Sequence, residues 1–204
     1  MTIDDIMRTA PVIPVLVIDD AAHARPIAET LVAGGLPVLE VTLRTTAAID
    51  VIREMAAVPG AIVGAGTVLN PAQLDQACGA GARFIVSPGL TDPLARAAQQ
   101  RGIPFLPGIA NAGDIMRGLD LGLDRFKFFP AEASGGRRAL GALAGPFGSV
   151  RFCPTGGIAP DTAPAWLAEP HVLCVGGSWL VPKGAPDLPA ITAAARAAAA
   201  FHSA

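Results

Sequence analysis

Short apolar runs recur along this chain at nearly even intervals. They begin near Val12, Val38, Ala61, Phe84, Pro104, Asp124, Val150 and Val172, 20 to 26 residues apart. Each is bounded by Gly, Pro, Asn or Asp and reads as a strand. Between them, apolar residues fall three or four apart, the period of a helix packed on one face. Helix starts are marked by Asp19-Asp20, Asn70-Pro71, Thr91-Asp92-Pro93 and Asn111. Helix ends are marked by Gly34-Gly35, Pro59-Gly60 and Gly122. Residues 2–9 predict a short amphipathic helix before the first strand. Ile191 to Phe201 predicts a closing helix, its apolar run interrupted by Arg196.

Strand–helix alternation at this spacing predicts parallel pairing through right-handed crossovers. Most runs are apolar on both faces, as in a parallel sheet covered by helices. Eight such units predict a closed (β/α)₈ barrel, an α/β fold with residues 1–204 as a single domain. An open doubly wound sheet is the alternative. Its dinucleotide fingerprint is only half present, in Gly64-Ala65-Gly66-Thr67-Val68-Leu69.

The departures from the apolar pattern carry the chemistry. In the second strand Leu39, Val41 and Leu43 share one face, and Glu40, Thr42 and Arg44 share the other. The apolar face must meet helices, so Glu40 points inward and Arg44 reaches the carboxyl-end mouth. A buried carboxylate is unfavourable there unless it is paired. A structural Glu40–Arg44 ion pair would explain both residues. Division of labour would too: Glu40 moves protons and Arg44 clamps a carboxylate.

The sixth strand, Asp124-Arg125-Phe126-Lys127-Phe128-Phe129-Pro130, holds one of only two lysines; the other thirteen basic residues are arginine. Arginine stays protonated, but a desolvated lysine can lose its proton and act as an amine nucleophile. Alternation sends Lys127 and Phe129 inward, and Phe126 and Phe128 toward the helices. Lys127 and Glu40 then share one lumen, as Schiff-base chemistry requires. Thr67 and Thr155 end the third and seventh strands and offer hydroxyls at the rim, although threonines at strand ends are commonly caps.

Thr155-Gly156-Gly157 and Gly176-Gly177-Ser178 follow the last two strands. Glycine pairs there let backbone N–H groups approach an anion, at the usual phosphate site of such barrels. A substrate with a ketone at one end and a phosphate at the other fits this layout. Lys183 reads as a solvated loop lysine and Glu132 as a local cap or partner. Cys153, with inward parity, reads as a small core filler. Trp166 and Trp179 read as packing residues on helical segments. His23, His171 and His202 fall in helix, loop and tail and share no metal-ligand spacing.

Composition narrows the partners. The chain is 51% apolar and 16% charged, with net charge −2, which argues against a nucleic-acid or anionic-membrane partner. Cys78, Cys153 and Cys174 form no disulfide framework, which suits a reducing cytoplasm. There is no signal peptide pattern and no apolar run long enough to span a bilayer. No metal and no cofactor are called for.

Five stretches resemble the bacterial 2-dehydro-3-deoxy-6-phosphogluconate aldolases, which often also act on 4-hydroxy-2-oxoglutarate. They are Leu39 to Thr45, Val63 to Leu69, Phe126 to Glu132, Arg151 to Gly157 and Val175 to Trp179. The resemblance implies a metal-independent class I aldolase on a (β/α)₈ barrel, usually a homotrimer. It would split the phosphorylated keto-deoxy acid into pyruvate and glyceraldehyde 3-phosphate in the Entner–Doudoroff route. By resemblance Lys127 forms the Schiff base and Glu40 is the general acid/base. Arg44 and Thr67 hold the pyruvate carboxylate, with Phe129 against the pyruvyl part. Thr155 lies near the substrate hydroxyls, and Gly156, Gly157, Gly177 and Ser178 take the phosphate. Galactonate-type relatives lack the Arg-Thr after the second strand and the threonine before the seventh-strand glycines. Arg44-Thr45 and Thr155 favour the gluconate form. A phosphosugar epimerase or isomerase would share the barrel and phosphate site, but gives Lys127 no role. A non-catalytic phosphate-binding scaffold leaves the inward Glu40 unexplained.

Overall fold

The alternation runs from end to end of residues 1–201, the part of the chain that the computed structural model describes. Helix α1 (Ile3–Arg8) precedes β1 (Val12–Leu16), and a 3₁₀ turn at Ala21–His23 leads into α2 (Ala24–Ala33). Then come β2 (Val38–Thr42), α3 (Ala48–Ala56), β3 (Ile62–Gly66), α4 (Pro71–Gly79), β4 (Phe84–Val86) and α5 (Asp92–Arg101). Strands β5 (Phe105–Leu106) and β6 (Gly108–Ile109) precede α6 (Ala112–Asp120), β7 (Arg125–Phe128) and α7 (Gly136–Ala144). The chain ends with β8 (Arg151–Pro154), α8 (Ala163–Leu167), β9 (Val175–Gly177) and α9 (Leu188–Ala199). Of the predicted helix starts, Asp20, Asn70 and Asn111 each accept a backbone N–H from the following turn, whereas Thr91 precedes α5 without a side-chain cap.

Every strand pair is parallel, in two curled sheets ordered β5-β4-β3-β2-β1-β9 and β6-β7-β8. Two differences from the predicted strands mark the seams. The fifth predicted strand is divided at Pro107, which has no N–H to give a ladder. Its carbonyl still accepts from the Lys127 N–H at 2.9 Å. The last strand starts at Val175, three residues later than Val172, because β1 pairs with Val175, Gly176 and Gly177. Gly176-Gly177 is therefore part of a strand, not the turn after one. Hydrogen bonds cross this seam as well: Phe152 N–H donates to His171 O at 2.8 Å and Leu173 N–H to Phe152 O at 3.1 Å.

Alternation sorts the core into two parts. Leu39, Val41, Phe126, Phe128 and Phe152 face outward into an apolar layer under the helices, where Ile27, Leu31, Val51, Ile52 and Trp166 meet them. Ile13, Val38, Ile62, Phe84, Val86, Leu106, Cys153 and Cys174 face the lumen and fill its amino-end floor. Helix α1 adds Ile6 and Met7 to that floor. Thr2 and Asp5 form its capping box. Asp4 accepts hydrogen bonds from Arg8 and from Arg125 at the start of β7, tying the helix to the sheet. Desolvation pushes the Asp4 carboxyl up, but the two guanidinium groups outweigh it and hold the group below its ordinary range.

Trp166 lies on α8 as predicted, whereas Trp179 follows β9 outside any helix. The Trp179 ring needs the space a side chain on Gly177 would take. His23 and His171 lie in the 3₁₀ turn and a loop; the tail residue His202 is outside the described residues.

Candidate active site

Strands β2 and β7 lie in different sheets and face each other across the lumen. Each places one charged side chain among apolar neighbours, with Lys127 6% exposed and Glu40 3%. The Lys127 Nζ donates to Glu40 Oε1 at 3.0 Å and lies 3.4 Å from Oε2. Either charge alone would be strongly destabilised in this lumen, and each relieves the other. The Glu40–Arg44 ion pair that the sequence allowed is absent among the described residues. Arg44 sits exposed in the turn after β2, at the lumen mouth.

A cavity of about 140 Å³ opens above the pair at the carboxyl ends of the strands. Glu40, Arg44, Thr67, Lys127, Phe129, Thr155, Gly156, Gly157 and Ser178 line it, so nine of the ten predicted site residues share one space. The tenth, Gly177, does not line it. Its neighbour Gly176 does, together with Val15, Thr42, Pro88 and Ile158. Val15 and Thr42 have inward parity and Pro88 follows a strand end, so position alone could have flagged them. Thr42 gives its hydroxyl proton to Leu16 O at 2.8 Å and joins β2 to β1. The Phe129 ring centroid is 5.4 Å from Lys127 Nζ, within cation–π reach.

Thr67 has φ 57°, a left-handed conformation rare for a β-branched residue. Such strain persists where surrounding structure enforces it. Thr155 is buried, with its hydroxyl 3.9 Å from Cys153 Sγ. Below it Cys174 is wholly enclosed. The neighbouring Cys153 thiol, burial and the Glu40 carboxylate all push its thiol well above the ordinary range, so it stays protonated.

The two predicted glycine pairs differ. Gly156 and Gly157 form a turn with φ 103° and 82°, a conformation that favours glycine. This turn is strapped to the segment after β7: Ala131 N–H donates to Thr155 O at 2.8 Å, and Glu132 N–H to Gly156 O at 3.1 Å. A Cβ on Gly157 would lie 2.7 Å from Glu132 Cβ. Glu132 Oε1 in turn accepts the Trp166 indole N–H at 2.9 Å. Its partner is thus 34 residues away, not local as the sequence suggested.

The arrangement pairs an amine with a proton acceptor, both buried at the base of the cavity. Around its mouth stand an arginine, two threonines and the backbone of a glycine turn. Such a site can attack a carbonyl, move protons beside it and grip anionic groups at two ends of a substrate.

Known proteins of one family resemble this chain. The family model for KDPG and KHG aldolases matches residues 3–194. The 2-dehydro-3-deoxy-phosphogluconate aldolase of Zymomonas mobilis is 62% identical over 99% of this chain and 97% of its own length. A crystal structure of the 2-keto-3-deoxy-6-phosphogluconate aldolase of Z. mobilis ZM4 with 3-phosphoglycerate superposes with TM-score 0.97, covering 99% of this chain and 97% of that one. The Legionella pneumophila KDPG aldolase, with pyruvate captured as a covalent carbinolamine, is 44% identical with TM-score 0.95, covering 98% of this chain and 99% of that one. With the match running nearly from end to end, this chain belongs to the KDPG and KHG aldolase family.

Proposed function

We propose that this chain is a class I, metal-independent aldolase that splits 2-dehydro-3-deoxy-6-phosphogluconate into pyruvate and D-glyceraldehyde 3-phosphate. The observation that carries the reading is the buried contact of 3.0 Å between Lys127 and Glu40. The proton that the ammonium must lose before attack has an acceptor in place. The free amine adds to the substrate ketone, and Glu40 returns the proton to expel water and leave a protonated imine. Glu40, directly or through water, then takes the proton of the hydroxyl beyond the bond to be broken. That bond's electrons pass into the imine as an enamine, the aldehyde leaves, and reprotonation and hydrolysis release pyruvate.

Arg44 and Thr67 hold the pyruvate carboxylate, Phe129 packs on the pyruvyl part, and Thr155 meets the substrate hydroxyls. The phosphate goes to the Gly156–Gly157 turn and Ser178. Gly177, whose Cα side faces Trp179, contributes at most its backbone. The Legionella carbinolamine and the Z. mobilis phosphoglycerate complex support an amine at one end and an anion site at the other. The family also supports cleavage of 4-hydroxy-2-oxoglutarate to pyruvate and glyoxylate. The hydrogen bonds between Phe152 and the segment before β9, and the continuity of the chain from β5 to β6 through Pro107, support one closed (β/α)₈ barrel domain. A cytoplasmic homotrimer completes the reading, and light scattering in solution tests the trimer.

Pyruvate with borohydride, followed by mass measurement, is the direct test. A reduced adduct on Lys127 is expected. No adduct, or one on Lys183, overturns the mechanism. Side-by-side turnover on the gluconate-derived, galactonate-derived and hydroxyoxoglutarate substrates ranks the specificities.

A further inference from the structure

Strand β3 runs beside β2 and shows the lumen almost no side chain. Ile62 belongs to the floor, and by alternation Gly64 and Gly66 follow it on the inward face. Both openings are occupied by neighbours. A Cβ on Gly64 would lie 2.4 Å from the Phe84 ring, which comes from β4. A Cβ on Gly66 would lie 2.2 Å from Glu40 Oε1, 2.7 Å from its Cγ and 2.8 Å from its Cδ. The Glu40 side chain therefore lies across the bare backbone of β3. The oxygen resting there is the nearer of the two to Lys127 Nζ, at 3.0 Å against 3.4 Å.

We propose that Gly66 is a positioning residue: its missing side chain sets where the Glu40 carboxylate stands relative to Lys127. The inference rests on the reading of that pair as the proton-transfer and imine-forming groups. Gly66 does not have a left-handed φ, so its backbone does not demand glycine; space does. A methyl group at 66 and the Glu40 oxygen cannot share that space. Relief from 2.2 Å to an ordinary contact of 3.4 Å or more moves the carboxylate by about 1 Å. All three displaced atoms belong to the Glu40 side chain beyond its Cβ and none to backbone, so the side chain moves, its carboxylate with it, and the strand stays. At Gly64 the obstacle is a buried ring, and the same substitution strains the fold instead. Two glycines with the same parity thus separate a catalytic requirement from a structural one. Misplacing a reacting group by 1 Å lowers rate by roughly 100-fold.

The experiment uses wild type, Gly66→Ala, Glu40→Gln and the double variant, with Gly79→Ala, which has open space around it, as control. Folding is followed by circular dichroism and thermal melting. Borohydride trapping of pyruvate on wild type checks the underlying mechanism first, so its failure is separate from failure of this inference. The readout is exchange of the pyruvate methyl hydrogens in deuterated water. Gly66→Ala is expected to fold and to exchange about 100-fold more slowly than wild type. In the Glu40→Gln background the same substitution is expected to change the rate by less than about threefold, since contacting residues are not additive. Three results overturn the proposal: a Gly66→Ala rate within threefold of wild type, an equal loss in both backgrounds, or a Gly66→Ala protein that does not fold.

Discussion

The floor and the mouth of the lumen are built from the same strands and differ in almost everything else. On β2 the inward residues run from Val38 at the floor to Glu40 and Thr42 nearer the mouth. On β8 Cys153 belongs to the floor and Thr155, just past the strand, to the cavity. The floor is closed by Phe84 and by α1, and its stability comes from excluded water and close packing. The mouth keeps an ion pair, hydroxyls and a glycine turn around empty volume. One period-two pattern supplies both ends, and position along the strand decides which chemistry each receives.

The largest expected effect separates the two ends. Lys127→Met removes the amine at the mouth and should lower aldol cleavage by about 10⁴-fold or more in a steady-state assay. Phe84→Ala at the floor should lower unfolding free energy by about 3–5 kcal/mol in urea melts, with kcat per folded molecule nearly kept.

The contrast blurs at the ion pair, and Lys127→Met sharpens this too. It leaves Glu40 buried without its partner and should destabilise the fold by about 3–5 kcal/mol at neutral pH. Lys127→Met with Glu40→Leu should recover most of that loss in the same melts, without activity.

A smaller effect lies at the rim. Glu132→Ala removes the support beneath the Gly156–Gly157 turn. It should raise KM for the phosphorylated substrate several-fold, by about 1 kcal/mol of lost positioning, and leave the hydroxyoxoglutarate KM near wild type. Equal changes for both substrates would break the link between that turn and the phosphate.

The smallest effect concerns the outer side of the floor. The Asp4 carboxyl has a lower pKa folded than its unfolded value of 3.8. Its contribution is therefore present above that value and lost as pH falls through the lower, folded one. Asp4→Asn should lower the melting temperature slightly at neutral pH, by at most about 1 kcal/mol in stability. The gap from wild type should close at the acid end.

Period and parity made much of this legible before any coordinates. The strands begin close to where the apolar runs do, and Glu40 and Lys127 have the facing that alternation assigned. What escaped depends on partners distant in sequence. Gly156-Gly157 and Gly176-Gly177 look alike as letters, but β1 holds the second pair in a strand and leaves the first as a turn. Nothing local marks Trp166 as the partner of Glu132. The left-handed backbone of Thr67 is equally silent, because threonine is an unfavourable residue for it. Gly66 reads as half of a weak nucleotide motif until Glu40 is seen lying over it.

The strap from the end of β7 to the Gly156–Gly157 turn has one more consequence. Ala131 and Glu132 follow Lys127 in the same short segment and are hydrogen-bonded to the residues before and within the turn. Lysine and glycine turn are thus tied to one hydrogen-bonded segment, not to separate loops. If, as proposed, Lys127 takes the ketone carbon and the Gly156–Gly157 turn the phosphate, that spacing sets the chain length of the substrate. A substrate one carbon longer or shorter can satisfy either end, but not both together.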